Sequence, residues 1–308
     1  MNQHDTQLQG AASLRIQSIL YGNTQQHVDQ SLASLGRAVE LAISSGALSK
    51  VQMAFGDCSP DPVFTDEEIE ERRKRFEAQG LGDIQYEFYD KNLGSAAGHN
   101  RLLEGLNSEL VLILNPDTVV APDLFIELVK PMRERQRVAV VEARQVPIEH
   151  PKDYSVASGE TGWVTTACAL VTAAVAKEVN GFDSESFFLY CDDVDFSWRI
   201  RLAGYKLVFQ PSAVIFHDKR LSQEGKWIVG AAEEYFSAEA AMMLSYKYSR
   251  ADLADRIERQ LLDAGSESEK KAARKFQSLK ESGKLPVQID ADHKVAQFID
   301  GFYSKHRF

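Results

Sequence analysis

The chain has 308 residues, of which 44% are hydrophobic and 26% are charged, and these are ordinary values for a soluble globular protein. Its formal net charge of −10 argues against general nucleic-acid binding, because such a surface has to neutralise phosphate charge. The three cysteines (Cys58, Cys168 and Cys191) are far apart and show neither a disulfide framework nor zinc-site spacing. The length suffices for one large α/β domain or for a domain with an appendage.

The sequence also bears on location. No apolar run approaches the roughly 18–20 residues that span a bilayer, and the amino-terminal stretch MNQHDTQLQG lacks the apolar core of a signal peptide. We therefore expect a cytoplasmic protein, or one that is peripheral at the inner face of a membrane.

Apolar segments alternate with amphipathic ones through residue 141. Strands are predicted at 14–20, 51–56, 83–89 and 109–114. Helices are predicted at 24–46, 65–80 with a threonine cap, 101–107 and 122–135. This alternation predicts an α/β fold with a doubly wound, mostly parallel sheet, in which ligands bind outside the carboxyl ends of the strands.

The alternation weakens after residue 141. The sequence predicts a polar, mobile loop at 144–162, a strand at 162–172 and a helix at 193–204. Two short strands are predicted at 206–211 and 213–218. From about Ser222 onward the pattern is wholly helical, with a highly charged stretch at 265–284. We therefore divide the chain into a sheet domain over 12–221 and a helical region over 222–308.

Asp117 follows the predicted buried strand LVLIL in the sequence NPDT. A carboxylate at this edge of the sheet suits Mg²⁺ or Mn²⁺, which prefer oxygen ligands and commonly take one or two carboxylates together with substrate phosphate. NPDT is equally compatible with a simple type I turn, for which asparagine and aspartate are favoured residues.

Three acids, Asp192, Asp193 and Asp195, crowd the start of the predicted helix DDVDFSWRIRL. Acids at this position are favoured by the helix dipole, but adjacent carboxylates repel and are often held for proton transfer or metal binding. Helical spacing puts Asp192 and Asp195 on one face and turns Asp193 about 100° away. We therefore expect the three acids to have different roles.

Two further polar segments are candidates for ligand contacts. His217 ends the predicted strand AVIFHD, where it is either a ligand or an ordinary surface residue. The stretch NLGSAAGHN (92–100) offers backbone N–H groups and two asparagines to an anion. It lacks the GxGxxG and GxxxxGK[ST] spacings, which disfavours classical dinucleotide and P-loop ATP sites.

The order of these segments resembles the family 2 glycosyltransferases of the GT-A fold, particularly bacterial rhamnosyltransferase-like and galactofuranosyltransferase-like members. The family pattern, approximately GGFDExFFxYxEDxDLxxRxxxxGY followed by a proline and a histidine, stands here as NGFDSESFFLYCDDVDFSWRIRLAGYKLVFQPSAVIFH. The resemblance covers about residues 14–220. It implies a GT-A domain that moves a sugar from a nucleoside diphosphate to an acceptor hydroxyl with inversion, using Mn²⁺ or Mg²⁺.

The resemblance also implies roles for individual residues. Asp117 takes the place of the last acid of the DxD-type metal motif, Asn115 replaces the first acid, and His217 matches a metal-binding histidine. Asp193 matches the catalytic base, and Asp192, which replaces the glutamate beside it, is expected to be catalytic as well. Asn115 and Asp117 are also expected to contact the nucleotide sugar.

The two nucleotide loops match the family unequally. Asn92, Gly94 and Asn100 match the loop that lies by the nucleotide. The family's DNxSxD stands here as GDCSPD, so Gly56 has the place of the usual aspartate and Asp57 that of the asparagine. We count Asp57 among the expected nucleotide contacts, with the adjustment of this loop left open.

The expected partners follow from the same resemblance. They are a TDP- or UDP-linked sugar donor and a saccharide or lipid-linked saccharide acceptor, in bacterial surface polysaccharide or glycolipid synthesis. Trp163 is a candidate exposed platform for a sugar. The helical region could pack on the core, form a homo-oligomer, or touch a membrane through SYKYSR and the terminal FYSKHRF.

Three alternatives remain at this point. A non-catalytic nucleotide-sugar-binding member of the same fold would explain the altered GDCSPD loop and Asn115. A nucleotidyltransferase would need a glycine-rich, basic amino-terminal signature, which LYGNTQQHVDQ lacks. A sugar-nucleotide hydrolase would use the same metal and base and differs in being independent of an acceptor.

Overall fold

The computed structural model describes residues 7–149, 152–217, 230–299, 301 and 303. The strands in this part of the chain are β1 (Ala12–Leu20), β2 (Leu48–Asp57), β3 (Ile84–Phe88), β4 (Leu110–Leu114), β5 (Thr118–Val120), β6 (Val138–Val146), β7 (Cys168–Thr172) and β8 (Lys206–His217). The helices are α1 (Gln25–Ser44), α2 (Asp66–Phe76), α3 (Gly94–Leu103), α4 (Leu124–Glu134), α5 (Ala173–Glu178), α6 (Asp192–Leu202), α7 (Ala231–Lys247), α8 (Ala251–Ala264) and α9 (Glu267–Glu281).

The strands form one mixed sheet in the order β3-β2-β1-β4-β7-β6-β8-β5. The first four are mutually parallel. β7 runs antiparallel to both of its neighbours, β6 and β8 are parallel, and β5 is antiparallel to β8. The predicted α/β class with a mostly parallel sheet is therefore confirmed.

The sheet is covered on both faces, as the sequence of β4 illustrates. All five residues of this strand are buried. Leu110, Leu112 and Leu114 belong to one apolar cluster, whereas Val111 and Ile113 belong to another. Since successive side chains of a strand point to opposite faces, a continuous apolar run is what a central strand between two helical layers requires.

Two predicted helix starts are confirmed by their caps. The side chain of Thr24 accepts a hydrogen bond from the backbone N–H of His27 at the start of α1. Thr65 and Glu68 form a reciprocal capping box at the start of α2. Such caps satisfy N–H groups that have no partner inside the helix.

Three boundary predictions were wrong. α3 begins at Gly94, inside the segment predicted to be a loop, because the positive φ of Gly94 (+73°) turns the chain directly into the helix. The two predicted short strands are one strand, β8, whose register against β6 shifts near Pro211. β6 extends to Val146, into the predicted loop at 144–162.

The carboxy-terminal region packs on the domain through an apolar cluster. Tyr248, fully buried, meets Trp198 of α6 edge to face, with ring centroids 4.7 Å apart. Lys247 is buried as well, so its ammonium group is not available to a membrane surface. Except for Tyr303, FYSKHRF lies outside the described residues, as does the predicted domain boundary at 221/222.

The prediction that this region is wholly helical was wrong. α9 ends at Glu281, and the described residues after it form turns and irregular backbone. Among the residues that the structure describes, no helix has both the length and the apolar composition needed to cross a bilayer.

Candidate functional site

The carboxyl ends of β1 to β4 meet at one edge of the sheet, because these strands are parallel. α6 also begins at this edge. The backbone N–H of Asn115, after β4, donates to the carbonyl of Ala167, and that of Val164 donates to Ser197 of α6. The two acid-bearing segments singled out in the sequence therefore share this edge.

Asp117 and His217 lie side by side although they are far apart in sequence. The antiparallel pairing of β5 with β8 sets Thr118 opposite His217. His217 Nε2 is then 3.4 Å from Asp117 Oδ1 and 3.3 Å from the side-chain nitrogen of Asn115. The Asp117 side chain is 37% exposed and that of His217 is 12% exposed, so the pair is open to a ligand on its aspartate side.

The other nitrogen of the His217 ring is held from behind. Nδ1 lies 2.9 Å from Oε1 of Gln145, a buried residue on β6. The ring is thereby fixed between β6 and the turn that follows β4.

The Asp117–His217 pair fits one kind of metal site and not another. Among the residues that the structure describes, no group of three or more His, Cys, Asp or Glu side chains could enclose a metal ion. A closed structural centre is therefore not formed by this part of the chain. Hard divalent ions that act on phosphates are commonly held by one or two protein ligands, with phosphate and water completing the shell. The pair fits an ion that binds together with a diphosphate.

The acids of α6 follow a strained turn. Tyr190 and Cys191 both have positive φ, +66° and +53°. Non-glycine residues in this region cost roughly 1–3 kcal/mol each and cluster at functional sites. The turn places Asp192 and Asp193 at the amino terminus of the helix, where its dipole favours negative charge.

Asp192 and Asp193 lie in different surroundings, as helical spacing predicts. Asp192 is 4% exposed and its Oδ2 has no hydrogen-bond partner among the described residues, whereas Asp193 is partly exposed. Burial, followed by the nearby charge of Asp193, raises the pKa of Asp192 to about 7, against a smaller opposing effect of a hydrogen bond with Ser95. Asp193 is thus the member of the pair that solvent or a substrate can reach.

Asp195 is fully enclosed and has a structural role. Its carboxylate receives Arg199 Nε at 2.7 Å, Lys247 Nζ at 2.5 Å and the hydroxyl of Tyr248 at 3.1 Å. Lys247 also reaches Asp183 at 2.6 Å. The carboxy-terminal helix α7 is therefore tied directly to the helix that carries the acid pair.

The segment 92–100 packs closely against the turn before α6. A Cβ atom at Gly94 would collide with the carbonyl of Phe188, which accepts the N–H of Ser95 at 3.1 Å. The exposed Asn92 accepts the N–H of Gly94 at 3.0 Å. Asn100 is engaged elsewhere, since its amide bonds both the carbonyl and the N–H of Phe182, at 2.7 and 2.8 Å.

Asp57 is hydrogen-bonded within the loop that follows β2. It is fully buried, and its carboxylate accepts the N–H of Ser59 at 2.9 Å, the N–H of Val63 at 2.8 Å and the hydroxyl of Tyr86. This side chain therefore shapes the loop 57–63, and the expected direct contact with a base is not available to it.

Gly56 explains why the loop departs from the family pattern. A Cβ atom at this position would collide with the ring and hydroxyl of Tyr89. An aspartate, which the family usually has here, does not fit while Tyr89 occupies that space.

Trp163 is not the exposed platform that the sequence suggested. It is 5% exposed, lies 5.3 Å from Tyr303 between ring centroids, and has Lys152 Nζ 4.4 Å above its ring. Its ring belongs to the apolar cluster shared with the carboxy-terminal helices.

Sequence reasoning missed two residues at this edge. Tyr21, directly after β1, is 58% exposed, and its position after a buried strand is the signal that could have found it. Gln145 contacts His217 from a strand end that was predicted to be a loop, so no local pattern pointed to it.

The strand order, the helices on both faces and the polar edge define a GT-A fold, that of nucleotide-diphospho-sugar transferases. Solved structures support this. A mannosyltransferase from Pyrobaculum calidifontis, in complex with GDP-Man and Mn²⁺, superposes with a TM-score of 0.55 and 15% identity, covering 92% of this chain and 79% of that one. GalNAc-T7 with UDP, GalNAc and Mn²⁺ gives 0.60 and 12% identity, covering 90% and 60%. At these identities the likeness concerns the fold.

Sequence relatives are similar over shorter segments. N-acetylglucosaminyl-diphospho-decaprenol L-rhamnosyltransferase of Mycobacterium tuberculosis is 41% identical over 58 residues, which is 19% of this chain and 19% of the relative. Rhamnosyltransferase WbbL of Escherichia coli is 30% identical over 93 residues, 28% of this chain and 35% of the relative. No family model matches the chain. The alignments thus span about a fifth and a third of these relatives, and they confirm the resemblance to rhamnosyltransferases.

Proposed function

We propose that this protein is an inverting, metal-dependent glycosyltransferase that moves a sugar from a nucleoside diphosphate to an acceptor hydroxyl. The observation that carries the proposal is that two groups lie at the same edge of the sheet. One is the Asp117–His217 pair, suited to an ion with a diphosphate, and the other is the acid pair of α6. The GT-A fold and the partial similarity to rhamnosyltransferases support it.

The donor is proposed to bind across the ends of β1, β3 and β4. Asp117 and His217, with Asn115 beside them, would hold Mn²⁺ or Mg²⁺ together with the diphosphate. When bound, the ion acts as a Lewis acid that stabilises the negative charge developing on the leaving diphosphate. Tyr21 offers an exposed ring on which a nucleobase can stack.

Asp193 is proposed as the general base. As the oxygen of the acceptor hydroxyl attacks the anomeric carbon, its proton passes to the Asp193 carboxylate, and the bond from that carbon to the diphosphate oxygen breaks. Attack from the face opposite the leaving group inverts the anomeric centre. Asp192 is buried and hydrogen-bonded to Ser95, and it is proposed to support Asp193 from within the turn rather than to take the acceptor's proton itself.

We favour a TDP- or UDP-linked donor and a saccharide or lipid-linked saccharide acceptor, used at the inner face of a bacterial membrane. Support comes from the Mycobacterium tuberculosis relative, a rhamnosyltransferase for N-acetylglucosaminyl-diphospho-decaprenol, and from the structural neighbour that holds UDP.

A non-catalytic nucleotide-sugar-binding protein is the second candidate. It is favoured by two observations. Asp117 is the sole carboxylate of the NPD motif, and the carboxylate of Asp57 is hydrogen-bonded within its own loop. Donor binding without acceptor-dependent transfer would support this candidate.

The test is a thermal-shift panel of UDP-, TDP- and GDP-linked sugars, each with and without Mn²⁺. A ligand that binds only the native state raises its apparent stability by mass action. We expect a Mn²⁺-dependent shift with one nucleotide class, and loss of that shift in Asp117→Ala. An equal shift for wild type and Asp117→Ala would remove the proposed metal role.

A further inference from the structure

A buried chain of polar side chains runs behind His217. It passes from the ring to Gln145, then to Thr165, Glu142 and Lys152. Gln145 and Glu142 belong to β6, Thr165 precedes β7, and His217 ends β8, so the chain crosses three adjacent strands of the sheet. Gln145, Thr165 and Glu142 are all buried, which shelters these bonds from competing water.

The direction of each bond follows from the chemistry of its far end. The Glu142 carboxylate receives the buried ammonium of Lys152 on Oε2 and can only accept. The hydroxyl of Thr165, 2.9 Å from Glu142 Oε1, must therefore donate to it. Because its one proton is used there, Thr165 Oγ1 accepts from Gln145 Nε2 at 2.8 Å.

This ordering fixes the amide of Gln145. With Nε2 directed to Thr165, Oε1 faces His217 Nδ1 at 2.9 Å and requires a proton on that nitrogen. In the neutral ring, the lone pair of the other nitrogen, Nε2, then points to the side of Asp117 and Asn115. The amide of Asn115, 3.3 Å away, donates to this lone pair.

We propose that Gln145, held by Thr165, Glu142 and Lys152, is a positioning residue that fixes His217 as the Nδ1–H tautomer and so presents Nε2 to a divalent ion. The proposal rests on the metal role proposed above. It gives a reason for two electron-rich atoms, Nε2 and Asp117 Oδ1, to face each other at 3.4 Å, an arrangement that a shared cation stabilises.

The first test reads the tautomer directly and needs no metal. Long-range nitrogen-15 to proton correlation spectra of histidine-labelled protein, at about pH 8, distinguish Nδ1–H, Nε2–H and doubly protonated rings. Loss of one signal set in His217→Asn assigns the ring among the seven histidines. We expect Nδ1–H in wild type, and a shift toward Nε2–H in Gln145→Leu.

Variants of Thr165 test the part of the polar chain that lies beyond Gln145. Thr165→Val keeps the shape but removes the acceptor for the amide, so Gln145 is free to turn over and the tautomer should become mixed. Thr165→Ser keeps the hydroxyl and should restore Nδ1–H. Gln17→Leu is the matched control, because Gln17 is also buried with its Nε2 3.0 Å from a histidine nitrogen, Nδ1 of His99, and should leave the His217 signals unchanged.

The second test measures Mn²⁺ binding by electron paramagnetic resonance, with and without UDP. Loss of an outer partner of a ligating histidine typically weakens metal binding about 10- to 100-fold, so we expect that loss in Gln145→Leu and Thr165→Val but not in Thr165→Ser or Gln17→Leu.

A wild-type His217 that carries its proton on Nε2, or on both nitrogens, overturns the inference. The inference is also overturned if wild type has the expected tautomer but Gln145→Leu binds Mn²⁺ with unchanged affinity, because Gln145 would then have no effect on metal binding. If wild-type protein binds no Mn²⁺ even with UDP, the metal role in the proposed function fails, and the spectra alone decide whether Gln145 sets the tautomer.

Discussion

The ammonium group of Lys247 lies 2.5 Å from the carboxylate of Asp195, which joins α7 to the helix that carries the acid pair. Both side chains are buried, and Lys247 also pairs with Asp183. The carboxy-terminal helices therefore contribute to the framework that holds Asp192 and Asp193.

Lys247→Met should destabilise the protein by about 3 kcal/mol, the lower end of the range for breaking a buried ion pair, because the buried Asp195 keeps Arg199 but loses the ammonium group that it shares with Asp183. Urea unfolding measures this. The matched control is Lys280→Met, since Lys280 lies at the same 2.5 Å from Asp255 but both side chains are more than 40% exposed. There we expect about 0–1 kcal/mol. Equal losses for the two variants would contradict the account.

Asp192→Asn should change stability in a pH-dependent way. With a pKa raised from 3.8 to about 7, Asp192 binds its proton more tightly in the folded than in the unfolded protein. Its burial therefore costs stability increasingly as pH rises from about 4 to about 7. The asparagine cannot ionise, so the variant does not carry this cost. Its free energy of unfolding relative to wild type should therefore increase by about 1–3 kcal/mol between about pH 4 and about pH 7.

Thermal unfolding of both proteins across this pH range tests the point. Asp61→Asn, at an exposed position, is the control and should track wild type. If the difference in stability between Asp192→Asn and wild type did not change with pH, burial would not be raising the pKa of Asp192.

Gly56 and Tyr89 should be energetically coupled. Gly56→Ala places a methyl group against the Tyr89 ring, and overpacking of this kind costs about 1–3 kcal/mol. In Gly56→Ala/Tyr89→Leu the smaller side chain relieves the collision, so the double variant should be more stable than the sum of the single effects predicts. Urea unfolding of the three variants gives the coupling energy, and strict additivity would show that Tyr89 does not exclude a side chain at 56.

Tyr21→Ala should weaken nucleotide binding about 10- to 100-fold, the usual loss when an aromatic ring that stacks on a base is removed. Tyr21→Phe should keep most of the affinity. Tyr154→Ala removes another exposed tyrosine, whose ring packs at a tilt against Phe209, and serves as the control. Calorimetry with UDP and TDP measures the difference, and unchanged affinity in Tyr21→Ala would place the base elsewhere.

The sequence was sufficient for the layer architecture and for the kinds of residue at the site. The buried run LVLIL followed by NPD, and the acids at the head of α6, are local patterns with local causes. The pairing of Asp117 with His217 is different, because it depends on the register of β5 against β8. No pattern within either segment determines that register; only the resemblance to a known family connected them.

Other residues were misjudged because their partners are distant in sequence. Asp57 was expected to reach a ligand, but Tyr86 and the backbone of Val63 occupy its carboxylate. Trp163 was expected to be exposed, but the carboxy-terminal region covers it. In both cases burial is a property of the assembled layers, which composition near the residue does not reveal.

The most direct measurement compares acceptor-dependent sugar transfer and donor binding in wild type, Asp193→Asn and Asp117→Ala, using the donor that the thermal-shift panel selects. We predict that Asp193→Asn binds donor with Mn²⁺ as wild type does and transfers about 10²- to 10⁴-fold more slowly, the range for loss of a general base, whereas Asp117→Ala loses both. Transfer at the wild-type rate by Asp193→Asn would contradict the assignment of this carboxylate as the base.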